Sequence, residues 1–359
     1  MEKNFYIGKL YLKNFLFVWI GLILFFLTID YIQVGKSISG SNAKILYLYY
    51  KSLNASSILF PISLVFASII TFAKLIKENT LVAFYSLGYS DRDLISVPFL
   101  ISTFLVLIYI FLHFTPYALA EERAEAIKIG ADYYKGSEAL FFKHDVVSKS
   151  GKVKSYYIYF STLYPFKSSA KDVRLFSVLD ERILEVIMAE DAYYRNNRWV
   201  LKPAKFLYNT DNPVLNGQAI QIREYPQATL LKGFKPKILN KIYENNSNFR
   251  LYEMFEAMRL LNLKGYSIDK LKASFYSIVA FPFVAPILIL LIFILTPISS
   301  RFQSLNLFIF LAILSTLLIW GFLYTLSMMA KTGNLYGELV IILPILILSA
   351  ITIYLKRKK

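Results

Sequence analysis

The sequence predicts an α-helical membrane protein with six transmembrane helices plus an inserted all-β, jelly-roll-like domain outside the membrane. Three observations carry that class. The chain is 56 % hydrophobic and 17 % aromatic over 359 residues, with a mean hydropathy of +0.48, more apolar surface than a water-soluble chain can bury. Six apolar runs are long enough to cross ~30 Å of hydrocarbon at about 1.5 Å per residue. Between the third and fourth runs lies a polar middle in which apolar and polar residues alternate.

The first three runs are Phe15 to Ile32, Ser57 to Ile76 and Leu94 to Phe114. Lys3, Lys9 and Lys13 before the first run, and small residues after it, resemble the flanks of a signal peptide. Its 18 residues exceed the roughly 7–15 of a signal core, so it reads as a retained span. Residues 130–250 read as β structure, with short runs such as Tyr156 to Phe160, Val173 to Leu179, Ile183 to Ala189 and Trp199 to Leu201. Arg195-Asn196-Asn197-Arg198 reads as a hairpin turn before the last of these. Regular strand spacing without helical periodicity fits a sandwich, jelly roll or barrel. Met254, Phe255, Met258, Leu261 and Leu263 then suggest a helix leading back to the remaining spans, Phe275 to Leu295, Leu305 to Met329 and Leu339 to Leu355. The expected organisation is a membrane half over 1–129, a β domain over 130–250 and a second membrane half over 251–359.

With six alternating helices, Lys3, Lys9, Lys13, Lys74, Lys77, Arg92, Arg301 and the run Lys356-Arg357-Lys358-Lys359 share one side, which the positive-inside tendency makes the cytoplasm. Both termini are then inside and the β domain outside. Lys36, Lys44 and Lys51 lie on the outer side and weaken this bias without reversing it. The formal charge of +16 is spread along the chain. Residues 121–270 hold 24 Lys and Arg against 18 Asp and Glu, a surplus of 6 that leaves 10 in the membrane flanks. Anionic lipid, and not nucleic acid, is the partner this distribution suggests. Without cysteine, the outer domain has no disulfide and relies on its core.

Several chemistries lack their residues. His113 and His144, the two histidines, stand far apart without a partner motif, so neither a metal site nor a His-based triad is expected. No G-x-x-x-x-G-K-[ST] motif is present, so ATP is not bound by that route. Ion-coupled carriers need ionisable groups at depth, whereas Asp30, His113 and Glu338 sit near the ends of their spans. The chain is therefore expected to be a non-enzyme without a cofactor of its own, and any energy for transport comes from another subunit.

Residues 77–93, KENTLVAFYSLGYSDRD, form a short amphipathic piece between the second and third spans. On a helix over about 78–88, Leu81, Phe84, Tyr85 and Gly88 fall at i, i+3, i+4 and i+7 and make one apolar face. Gly88 supplies a stop, and Ser90 caps the next helix with Asp93 three residues on, a capping-box variant. Two functions fit: an interfacial helix lying on the membrane, or a coupling helix that docks on a cytoplasmic motor.

Glu78-Asn79-Thr80-Leu81 through Gly88-Tyr89-Ser90 resembles the segment between the second and third helices of the lipopolysaccharide-export permeases, the F and G subunits of the Lpt transporter. The resemblance runs along almost the whole chain. Tyr6-Ile7-Gly8-Lys9 with a span ending Thr28-Ile29-Asp30 is similar to the family's start. Pro116 with downstream Glu and Arg is similar to the exit of its third helix, and Phe281-Pro282 through Thr296-Pro297-Ile298-Ser299 to its fourth helix and following loop. Two positions depart from the family: Thr80 stands where it has Glu immediately before Leu81, and Phe26 and Leu27 stand near Asp30 where it has a basic residue.

The resemblance implies one permease of an ATP-driven transporter in a Gram-negative inner membrane. Its implied partners are a related second permease as heterodimer, a cytoplasmic ATPase dimer, periplasmic β-jelly-roll bridge proteins and lipopolysaccharide. Glu78, Thr80, Leu81, Phe84, Tyr85, Gly88 and Ser90 would form the ATPase-coupling helix. Phe25, Ile29, Trp320 and Tyr324 are candidates for the wall of a lipid cavity, or else ordinary packing and lipid-facing residues. Arg123, seven residues after Pro116, stands where the resemblance places a phosphate-contacting Arg, with Lys36 and Lys128 as further candidates for a phosphate and sugar rim. The alternative is a signalling or scaffolding membrane protein whose β domain binds an extracytoplasmic ligand; it needs no ATPase.

Overall fold

A computed structural model describes residues 2–130, 136–147, 153–165, 167–179, 182–209, 220–231, 235, 236, 239, 249–262, 268–297 and 304–358. The chain divides into two units. One comprises Met1–Lys128, Asn248–Met254 and Asp269–Lys359, the other Ile129–Ser247 and Phe255–Ile268.

The first unit is helical. In chain order it contains α1 (Glu2–Val34), α2 (Ser41–Lys77), α3 (Thr80–Ser86), α4 (Asp91–Leu112), a 3-10 turn at Pro116–Leu119 and α5 (Ala120–Ile129). After the β strands come α6 (Leu251–Asn262), which belongs to the second unit from Phe255 onward, and then, in the first unit, α7 (Asp269–Val279), α8 (Val284–Leu295), α9 (Leu305–Lys331) and α10 (Leu343–Lys358). Six of its helical segments are long and apolar enough to cross a membrane; five contain the run read from the sequence, and the third, Asp91–Leu112, stops two residues short of the expected end at Phe114. The fourth, Asp269–Leu295, is broken by a 3-10 turn at Phe281–Phe283, because Pro282 has no N–H for the helical ladder. A π turn at Glu338–Ile342 opens the sixth. There Gly337 lies so close to α7 that an added Cβ would sit 2.7 Å from the Ala273 Cα.

α2 is the centre of this unit. Of its apolar stretch 67 % is buried, against 6 % for α1, so α2 is surrounded by its own chain while α1 offers its apolar surface to lipid or to another chain. Leu64, Ile69 and Phe72 of α2 meet Ile7, Tyr11 and Phe15 of α1, Leu94 and Val106 of α4, and Ile289 and Phe293 of α8 in one core. With 37 residues, α2 is ~55 Å long, well beyond the hydrocarbon thickness. Its first four turns, Ser41 to about Ser56, extend past the apolar run that begins at Ser57.

The second unit is an antiparallel sheet of seven strands: β1 (Ser137–Val147), β2 (Val153–Tyr164), β3 (Ser169–Leu179), β4 (Arg182–Arg195), β5 (Arg198–Asn209), β6 (Ile220–Tyr225) and β7 (Ala228–Leu230). β1 to β6 are neighbours in chain order, and β7 also pairs with β5, so the expected all-β insertion is an antiparallel meander. The expected turn between β4 and β5 is present, with Asn196 and Asn197 both at positive φ, 50° and 62°, as a tight hairpin requires. Register aligns one buried row across the sheet: Phe142 opposite Ile158, Ile158 opposite Leu175, Leu175 opposite Ile187. Alternation puts these side chains on one face, where Trp199, fully buried, packs on Phe160 at 5.2 Å between ring centroids. Ile187, Trp199 and Leu201 are core residues of this unit.

Candidate functional site

The link between α2 and α4 is built by local chemistry at every residue. α2 ends at Lys77 with Glu78 as its cap, and Asn79 turns the chain through the left-handed region at φ 56°. Gly88, at φ +83°, closes α3. Its N–H donates to the Tyr85 carbonyl at 3.0 Å and the Tyr89 N–H donates to the Phe84 carbonyl at 3.1 Å, the two bonds of a Schellman end. The Tyr89 ring meets Phe84 edge-on at 5.9 Å, the apolar contact that accompanies this motif. Ser90 then starts α4: its Oγ accepts from the Asp93 N–H at 3.4 Å, and Asp93 Oδ2 accepts from the Ser90 N–H at 3.0 Å. Lys3 of α1 fastens the link, with Nζ 4.2 Å from the Tyr89 ring centre and 4.0 Å from Asp93 Oδ1.

The expected apolar face is turned inward. Leu81 is 2 % exposed, and Phe84 and Tyr85 are half-buried against the helical core. Tyr85 Oη donates to Asp91 Oδ1 at 2.5 Å; burial, reinforced by that carboxylate, pushes the phenol pKa up. Val82, Leu87 and Tyr89 are the large hydrophobic side chains of this link that are exposed, Leu87 most of all at 72 %. Leu81, Phe84 and Tyr85 form the expected stripe, and in the isolated chain it packs on the chain's own helices. Helical spacing groups them on one stripe, but it cannot tell whether the stripe meets a partner or its own bundle. Gly88 and Ser90 are exposed and Thr80 is half-buried. Glu78 pairs with Lys74 at 3.7 Å and accepts from Tyr6 Oη at 3.5 Å.

At the other end of α1 and α2 the structure assembles a polar cluster that the sequence did not single out. Lys51 Nζ lies 3.0 Å from Glu121 of α5 and 3.6 Å from Asp30 of α1. Tyr47 Oη donates to Asp30 at 2.8 Å, and Asn54 donates to Glu121. Lys51 and Asp30 are nearly buried, at 12 % and 15 % side-chain exposure, so the cluster ties three helices together. The signal available was Asp30 itself, a carboxylate inside an apolar helix, which calls for a cation; Lys51 was visible only as a charge against the positive-inside trend.

The expected rim residues are separate. Arg123 is exposed, donates to Tyr50 Oη at 3.3 Å and stacks over that ring at 5.3 Å. Lys128 pairs with Glu125 at 3.8 Å, and Lys36 is exposed. Of the expected wall residues, Phe25 and Ile29 are exposed on α1, at 66 % and 44 %. Trp320 and Tyr324 stack on α9, 5.1 Å between centroids and 15° between planes, and the Trp320 indole N–H is buried without a hydrogen-bond partner among the described residues. His113 is accounted for structurally: Nδ1 bonds the Tyr109 carbonyl at 2.8 Å and Nε2 meets Ser57 Oγ at 3.2 Å.

No match to a curated protein was found. The family model described as lipopolysaccharide export system permease LptF/LptG matches residues 5–358, a span that takes in all six membrane helices and the inserted sheet. The chain belongs to the lipopolysaccharide export system permease family LptF/LptG.

Proposed function

We propose that this chain is one permease subunit of an ATP-driven extractor that lifts lipopolysaccharide out of the inner membrane and passes it to a periplasmic β bridge. It works as a heterodimer with a related permease, on a cytoplasmic ATPase dimer that carries the nucleotide chemistry; this chain needs no cofactor. Both ends and α3 lie in the cytoplasm, the sheet in the periplasm, in keeping with the Lys and Arg asymmetry of the short flanks. Exposing each buried CH₂ costs about 0.8 kcal/mol, so a many-chained lipid requires an apolar cavity and a power stroke. Phe25 and Ile29 on α1 and the Trp320–Tyr324 stack on α9 supply wall surface. The unpartnered Trp320 N–H needs an acceptor from outside the described chain, and Arg123 and Lys36 offer cations for phosphorylated sugar.

The observation that carries this reading is α3 itself: a two-turn helix closed by a Schellman end, followed directly by the Ser90–Asp93 capping box, and presenting Val82 and Leu87 to the outside. A lever of that kind transmits force only if its ends are fixed. The test is purification in detergent after co-expression with the second permease and the ATPase, followed by ATP-dependent lipid release. Expected are a retained ATPase for the wild type and its loss for Leu87→Asp. A complex that lacks both the ATPase and a second permease overturns the reading in favour of a signalling or scaffolding protein.

A further inference from the structure

A groove of about 580 Å³ lies where the N-terminal end of α4 meets α8 and the C-terminal end of α10. Its volume falls within the few hundred to a thousand Å³ of small-molecule sites, and its walls are of two kinds. Ile95, Leu290, Phe293 and Ile353 line it, running from buried Phe293 to exposed Ile353. Arg92, Lys356 and Arg357 stand at its mouth beside one carboxylate, Asp91. None of the three cations makes an ion pair within 4.0 Å with a described residue. Three cations stand against the one carboxylate, so the mouth keeps a positive surplus.

We infer that this groove binds one anionic glycerophospholipid of the adjacent leaflet, its acyl chain along Ile95, Leu290 and Phe293 and its phosphodiester on Arg92, Lys356 and Arg357. Along α10 the cations Lys356 and Arg357 follow Ile353, and along α4 Arg92 precedes Ile95. Charge and apolar wall thus succeed one another along the helices in the order in which a lipid carries its phosphate and tail. A soluble phosphate would leave the apolar wall bare, and a neutral zwitterionic lipid would leave the cations without net counter-charge. Basic pockets between helices on this side of a membrane bind headgroups in this way. The site is separate from the cavity proposed for the transported lipid. It lies one hydrogen bond from α3, through Asp91 and Tyr85, so that a bound lipid would brace the base of the lever.

The test is native mass spectrometry of the full chain in detergent, titrated with phosphatidylglycerol, phosphatidylcholine or inorganic phosphate. Wild type should bind phosphatidylglycerol in preference to phosphatidylcholine, and millimolar phosphate should not displace it. R92Q/K356Q/R357Q should weaken phosphatidylglycerol at least about tenfold. K9Q/K13Q/K77Q, which removes as many charges at exposed positions outside the groove, should bind like the wild type. I353W fills the groove without altering charge and should also lose the lipid. Equal losses in the two triple variants would reduce the effect to diffuse attraction and overturn the site. So would displacement by phosphate alone, equal affinity for phosphatidylcholine, or full binding by I353W.

Discussion

Phe84 and Leu87 are three residues apart on α3, yet a charge at each should have a different effect. Phe84 is half-buried on the chain's own core, so Phe84→Asp places a carboxylate against Leu81 and the bundle, with a destabilisation of about 3 kcal/mol. A lowered melting temperature of the isolated permease should report it. Leu87 is 72 % exposed, so Leu87→Asp should leave that melting temperature unchanged and act on ATPase retention alone. If Leu87→Asp also keeps the ATPase bound, α3 does not dock through this surface. Glu78, which stands two residues before the Thr80 that occupies the family's Glu position, makes only exposed contacts with Lys74 and Tyr6. Glu78→Ala should therefore change stability by less than about 0.5 kcal/mol, and any loss of coupling it causes would belong to a contact with the partner.

At the scale of the element, what was legible in the sequence is what local chemistry decides. The stop at Gly88 and the Ser90–Asp93 box follow from residues within a few positions of each other, and both are present in the structure. Which face of α3 turns inward depends on α1, α2 and α4, tens of residues away, and no local pattern carries it. The first turns of α2 escaped for a related reason: Lys44, Lys51 and Asn54 interrupt the apolar run, and their helix is held by contacts with α1 and α5. Gly88→Ala tests the local part. A side chain at φ +83° should cost about 1 kcal/mol, read as a modest fall in melting temperature and as disturbed coupling. Lys51→Met tests the distant part. It leaves Asp30 and Glu121 without their shared cation, and the expected loss of about 3 kcal/mol should be largely restored by Asp30→Asn combined with Glu121→Gln. Failure of that rescue would mean that Lys51 acts through its aliphatic stem and not through its charge.

For the molecule as a whole, the six spans and the sheet were legible because each is written in a repeating period, long apolar runs for the helices and two-residue alternation for the strands. The row from Phe142 through Ile158 and Leu175 to Ile187 is such a pattern realised across four strands. Orientation is written in a weaker code, the excess of Lys and Arg on one set of short flanks, with Lys36, Lys44 and Lys51 opposing it. The cluster around Lys51 lessens that opposition, since a lysine held between Asp30 and Glu121 contributes no free charge to the outer flank. The absence of cysteine makes the orientation directly measurable. Glu2→Cys, Lys171→Cys and Lys358→Cys, introduced one at a time, should react differently with a membrane-impermeant thiol reagent on intact spheroplasts. Lys171 lies exposed on β3 and should label at once, whereas positions 2 and 358 should label only after the membrane is permeabilised. Labelling of either terminal position in intact spheroplasts would invert the topology and, with it, place α3 on the side where no ATPase can reach it.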